Sequence, residues 1–137
     1  MKTRRNILVL LSLILFSCTD TNDGLVCTEE FRMLTVTVNY SNQEPVLLTD
    51  YYTQKMSTGE KIYFKSENEY IDSMYANNGT YILFTDDKLS KVSRSGNEFQ
   101  FKGFIDTILV VNKTFIIRND GCHIDLISGN TNIIYSY

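Results

Sequence analysis

The chain has 137 residues, of which 43% are hydrophobic and 21% charged, with a formal net charge of -3, one Pro and no Trp. That length fits a single domain, and the composition excludes a disordered or collagen-like chain. The acidic balance disfavours nucleic acid as a partner, because the phosphate backbone selects basic surfaces.

At the start, Lys2, Arg4 and Arg5 precede an apolar run from Ile7 to Phe16 that only Ser12 interrupts. The run is far shorter than the roughly 20 apolar residues a spanning helix needs. A basic start followed by a short apolar core is the pattern of a secretory signal. It closes on Leu15-Phe16-Ser17-Cys18. These four residues resemble the bacterial lipoprotein box: an aliphatic residue, a variable one, a small one, then the obligatory cysteine. The bulky Phe16 departs from the commonest form at a permissive position. The resemblance covers residues 1–18 and implies that 1–17 are removed, while Cys18 receives a thioether-linked diacylglycerol and an acylated amine.

One acyl chain anchors a protein marginally, whereas two or three on one residue anchor it firmly. Residues 18–26 would then form the lipidated N-terminus and a polar tether, and 27–137 the folded domain. Loss of Lys2, Arg4 and Arg5 takes the formal charge from -3 to -6. Thr19 stands where an aspartate would resemble an inner-membrane retention signal. The expected location is therefore the bacterial outer membrane, on its periplasmic or cell-surface face. The alternative is a plain secretory signal in which Cys18 is incidental.

Three cysteines occur in the chain. With Cys18 lipidated, Cys27 and Cys122 remain, and two leftover thiols in an exported protein are most simply a disulfide. The alternatives are two free thiols, or a nucleophile at Cys122. His123, the one histidine, adjoins it. Neighbours in a strand point to opposite faces, which makes Cys122-His123 a poor nucleophile–base pair.

In chain order, "MLTVTVNY" alternates, with Leu34, Val36, Val38 and Tyr40 on one face, as a half-buried strand does. "SNQEP" is a turn, "VLLTDYYTQKM" is rich in β-formers, "STGE" turns at Gly59, and "KIYF" is a short strand. "SENEYIDSMYANNG" reads as a helix over about 67–76: Ser66 and Glu69 fit a capping box, Ile71, Met74 and Tyr75 recur at helical spacing, and Asn77-Asn78-Gly79 stops it. "TYILF" is a strand, "TDDK" a turn, "SRSGN" a bend, and "EFQFKGF" an alternating strand. "ILVVNKTFIIR" is a longer strand with a bend at Asn112, and "NDG" turns it into "CHIDLIS". "GNT" leads to "NIIYSY". Short strands at this spacing make an antiparallel sandwich or barrel.

A second resemblance rests on Leu34 to Val38, Pro45 and Thr58-Gly59, with "FIIRNDGCHIDLISGN" as a closing hairpin. This order is similar to carboxypeptidase-regulatory-like, or transthyretin-like, domains of small Bacteroidetes-type lipoproteins. The family's post-turn glycine is missing, because Gln43-Glu44 occupy that turn. The resemblance implies an all-β, Ig-like/transthyretin-like sandwich of about seven or eight strands, and a non-catalytic one.

No phosphate loop, metal-ligand spacing or cofactor motif occurs. Asp86-Asp87 and Glu29-Glu30 read as solvated turn pairs, with weak calcium coordination at Asp86-Asp87 as a rival. Tyr51 and Tyr52 are the leading ligand-contact residues, with Tyr70, Tyr75 and Tyr81 beside them as a platform for a sugar or a protein. Core packing is the competing role. Adjacent tyrosines in a strand split between faces, so one of Tyr51 and Tyr52 is expected to be exposed. Asn78-Gly79-Thr80 and Asn112-Lys113-Thr114 match the N-glycan sequon, and Asp72-Ser73-Met74 and Asp106-Thr107-Ile108 resemble a short bacterial O-glycosylation motif. The functional expectation is a lipid-anchored, non-catalytic binding or accessory module. The rivals are an envelope inhibitor or immunity-type protein, and a hydrolase using carboxylates such as Asp86 or Glu98.

Overall fold

A computed structural model describes residues 24–64 and 68–136. The signal segment, Cys18 and the candidate cap Ser66 lie outside the described residues. Among the described residues the strands are β1 (Met33–Tyr40), β2 (Asp50–Lys55), β3 (Lys61–Ile62), β4 (Thr80–Thr85), β5 (Asn97–Ile105), β6 (Ile108–Asn119), β7 (Ile124–Ser128) and β8 (Asn132–Tyr135). One α-helix, α1 (Glu69–Asn77), precedes β4, and a 3-10 segment (Asp86–Lys91) follows it where a simple turn was expected.

The strands form two sheets. β1 is the centre of a three-stranded sheet, with β4 antiparallel on one side and β8 parallel on the other. The second sheet runs β3-β2-β5-β6-β7, and every neighbouring pair in it is antiparallel. This is the expected all-β sandwich, with one parallel pair. Asn112 pairs in register with Lys102, and the register shifts fall at Gly103/Phe104 and Ile116/Ile117.

The period of two places the core. Val36 and Val38 of β1 turn inward, as do Phe99 and Phe101 of β5 and Phe115 and Ile117 of β6. Leu83 and Phe84 of β4, Ile124 of β7 and Ile133 of β8 complete the layer. Phe84 and Phe99 meet across it with ring centroids 4.8 Å apart. One buried polar link also spans the sheets: the Thr53 hydroxyl donates to the Leu83 carbonyl at 2.8 Å. Its partner satisfies a hydroxyl that would otherwise cost free energy inside the core.

Asn68 caps α1: its Oδ1 accepts from the Tyr70 N–H at 3.0 Å. The helix ends at Gly79, whose φ of +65° carries the chain back into β4. A Cβ at Gly79 would meet the Val38 carbonyl oxygen at 2.5 Å. The helix therefore sits over the β2–β4 side of the sandwich because a residue without a side chain lets the backbone pass β1 closely.

Candidate functional site

Between α1 and the two sheets lies a cavity of about 410 Å³, within the size range of ligand pockets. Its walls include Tyr51, Phe64, Tyr75 and Tyr81, and Asp50, Glu69 and Asp72 also line it. The Tyr51 and Tyr81 rings meet edge-on, 5.1 Å between centroids, and Tyr51 rests on Phe101 at 5.7 Å. Gly103, paired with Tyr51, makes room for Leu48, which also lines the cavity: a Cβ there would meet a Leu48 methyl at 2.5 Å.

The tyrosine hydroxyls are committed to the backbone. Tyr51 donates to the Phe64 carbonyl at 3.0 Å. Tyr81 donates to the Val46 carbonyl at 2.6 Å and accepts from the Leu48 N–H at 2.8 Å. Burial pushes the Tyr51 pKa up to about 12, opposed by a backbone hydrogen bond from Ile82 and helped by the nearby Asp72 charge. Burial likewise raises that of Tyr81. Both are therefore neutral phenols whose hydroxyls are already bonded within the protein.

α1 turns only part of its apolar pattern inward. Glu69, Asp72, Ser73 and Ala76, one helical face by spacing, line the cavity. Tyr70, Ile71 and Met74 are 70%, 42% and 50% exposed, and no residue of the helix is buried. Of the residues whose apolar spacing marks the helix in the sequence, Ile71 and Met74 face outward and Tyr75 lines the cavity.

Of the two leading candidates, Tyr51 lines the cavity and Tyr52 does not. They do split between faces, yet neither is exposed. Tyr52 points outward but is 7% exposed, because Tyr63 and Phe104 pack against it at 5.4 and 5.7 Å and the Lys61 ammonium lies 4.6 Å from its ring centroid. An outward-facing residue is covered here by its own neighbours, which alternation alone does not reveal. Tyr75 and Tyr81 join Tyr51 at the cavity; Tyr70 does not line it.

A second cluster surrounds the cysteines. Cys27 and Cys122 are joined, Sγ–Sγ 1.94 Å, with Cα atoms 5.3 Å apart. That leaves neither thiol as a nucleophile. Beside the bridge, His123 Nδ1 lies 2.7 Å from Asp86 Oδ2, and His123 Nε2 lies 3.1 Å from Thr28 Oγ1. Asp86 also accepts the N–H groups of Arg32 and Ile124, each at 2.8 Å. Burial works to raise the Asp86 pKa, but those two N–H groups and His123 outweigh it and hold the carboxyl below its ordinary 3.8. Asp120 Oδ1 in turn accepts from the N–H groups of Cys122 and His123.

The order hydroxyl–imidazole–carboxylate is that of a nucleophile, a base and an orienter. Here the same atoms hold the N-terminal segment, the start of the 3-10 segment and the β6–β7 turn together. Sequence reading set His123 beside Cys122; it named Asp86 without linking it to His123 and missed Thr28, since both are distant along the chain. The expectation that Asp86 is a solvated turn residue is thus corrected, since its side chain is only 10% exposed. Asp87 bonds the Thr85 hydroxyl and pairs with Lys88 at 2.6 Å. Glu98 is exposed on β5, and Glu29 and Glu30 are exposed. Thr107 is exposed at the β5–β6 turn, while Ser73 donates its hydroxyl to the Tyr70 carbonyl.

Among the described residues no helix is long and apolar enough to cross a membrane, and no group of three or more His, Cys, Asp and Glu is placed to hold a metal ion. Comparison with protein-family models, with curated proteins and with solved structures finds no match.

Proposed function

We propose that this chain is a lipid-anchored module of the bacterial outer membrane, facing the periplasm or the cell surface, that binds a ligand through the α1 cavity and catalyses no reaction. The cavity is the observation that carries the binding half: three tyrosines the sequence singled out converge on it, together with three carboxylates. The anchor rests on Leu15-Phe16-Ser17-Cys18, and the polar tether gives the domain reach from the membrane surface.

A protein partner, as for an inhibitor or immunity-type lipoprotein, is the second reading. The outward Tyr70, Ile71 and Met74 face of α1 favours it, because exposed apolar groups beside a pocket are what a partner covers. A hydrolase built on Asp86 and Glu98 has less support, since Asp86 is occupied by backbone and imidazole donors and Glu98 stands exposed on β5.

Two measurements test the proposal. Cells fed a radiolabelled fatty acid incorporate it into the wild-type chain, and persistent label in Cys18→Ala would end the anchor reading. A photo-crosslinking residue at Tyr75 captures a partner or ligand from envelope extracts, and capture is lost when Ser73→Trp fills the cavity mouth. Equal capture from Lys113, on β6, or capture unaffected by Ser73→Trp, would end the binding reading.

A further inference from the structure

We infer that the domain sits end-on against a zwitterionic lipid surface, which residues 25–33 meet through Leu25, Val26, Phe31 and Met33. The inference rests on the anchor proposed above and adds the face by which the domain meets the membrane.

The segment is inside out. Covalent and polar bonds hold it to the domain. Cys27 is bridged to Cys122, and the Thr28 hydroxyl lies 3.1 Å from His123 Nε2. The Arg32 N–H donates to Asp86 Oδ2 at 2.8 Å, and the Asp86 N–H donates back to the Arg32 carbonyl at 3.1 Å. The apolar side chains between and beside these fixed points stay in solvent. Val26 is 94% exposed and Phe31 63%, and Leu25 and Met33 are exposed as well. A single exposed apolar residue is ordinary. Four of them within residues 25–33, on a segment fastened by other means, form a patch that the described residues do not cover.

The course of the chain identifies the cover. Eight peptide steps lead from Cys18 to Val26, so even a fully extended chain keeps Val26 within about 30 Å of the lipidated residue. The bridge passes that restraint to the domain, because the Cα atoms of Cys27 and Cys122 are 5.3 Å apart. The end of the sandwich carrying the β6–β7 turn is therefore held at the bilayer. The β5–β6 turn is held away from it, since β6 runs for 12 residues between the two turns, about 35 Å at about 3.3 Å per residue. With the chain already tethered, even a weak contact is populated, because the anchor keeps the local concentration of lipid high.

Charge selects the kind of surface. Glu29 and Glu30 are exposed between Val26 and Phe31, and anionic headgroups would repel them. Zwitterionic headgroups accept them at the water level, while the apolar neighbours reach the acyl boundary.

The chain contains no Trp, so single Trp reporters read the contact. The full lipidated chain carrying Phe31→Trp, Val26→Trp or Ile108→Trp is reconstituted into phosphatidylcholine vesicles, with and without bromine on the acyl chains. Emission from Phe31→Trp and Val26→Trp is expected to shift to the blue and to be quenched at least about 3-fold more strongly than that from Ile108→Trp, because an interfacial apolar group lies about 5–10 Å into the headgroup and acyl boundary. Equal quenching at 31 and 108, in vesicles that carry the chain, would overturn the inference and leave the anchor standing. Failure of the wild-type chain to float with the vesicles removes the anchor and the inference with it. Reporters at 26 and 31 that are shielded from aqueous acrylamide in cell envelopes, yet unquenched by bromine in vesicles, would assign the patch to a protein and so also refute the lipid contact.

Discussion

His123 Nδ1 lies 2.7 Å from Asp86 Oδ2, across 37 residues of sequence, and both side chains are nearly closed to solvent. Asp86 gathers the N–H groups of Arg32 and Ile124 as well, so one carboxylate satisfies three donors from two distant parts of the chain. Asp86→Ala orphans all three. Leaving buried donors unpaired costs about 1–3 kcal/mol each, and partial rehydration at this edge of the domain brings the expected total to about 2–4 kcal/mol. Urea unfolding of the purified domain reads it directly. A loss below about 0.5 kcal/mol would mean that the network is not holding the structure.

Acid should weaken the fold through the same group. The folded-state pKa of Asp86 lies below its ordinary 3.8, and those of Asp87 and Asp120 are also lowered. For Asp120 the N–H groups of His123 and Cys122 are the main cause. A depressed folded pKa gives stability that is complete above the unfolded value and is lost as pH falls through the folded one. The melting temperature is therefore expected to fall as pH drops below about 4, and less steeply in Asp86→Asn. An Asp86→Asn profile parallel to wild type in that window would remove Asp86 as the cause.

The bridge between Cys27 and Cys122 encloses most of the folded chain, with 95 residues of separation. In the chain-entropy model, closing a loop of that size restricts the unfolded state by about 4–5 kcal/mol. The double variant Cys27→Ala/Cys122→Ala should lose up to that amount and keep its far-ultraviolet circular dichroism, since the core lies between the sheets. Alkylation of the unreduced protein offers a second check: two reactive thiols in the folded domain would contradict the bridge.

Gly79→Ala tests the joint between α1 and β4. The positive φ and the close Val38 carbonyl act together, so a loss of about 1–3 kcal/mol is expected. A neutral result would show that the helix end moves freely relative to β1.

Much of the fold is legible along the chain. Alternation in "MLTVTVNY" and "EFQFKGF" locates β1 and β5 and identifies their inward residues, because the period of a strand is a local property. The split of Tyr51 and Tyr52 between the two faces of β2 is legible for the same reason. The parallel pairing of β8 with β1 is not, since a strand's partner depends on which edge remains open once the other strands have paired. The burial of Tyr52 under Tyr63 and Phe104 depends on residues from two other strand segments. The outward placement of Ile71 and Met74 is hidden more deeply, because apolar spacing reports that a helix exists and not which side meets the protein. Asp86 looked like a turn residue; its role needs His123, which folding alone brings near.

The pairing of β1 with β8 has a consequence for how the molecule is made. The central strand of the three-stranded sheet waits for the eighth strand, and Cys27 waits for Cys122, so both closures join early chain to late chain. Contacts of such long sequence separation form slowly, because the intervening chain must first be confined. A polypeptide threaded through a membrane from its N-terminus would therefore remain unfinished, and so pliable enough to thread, until nearly all of it had crossed.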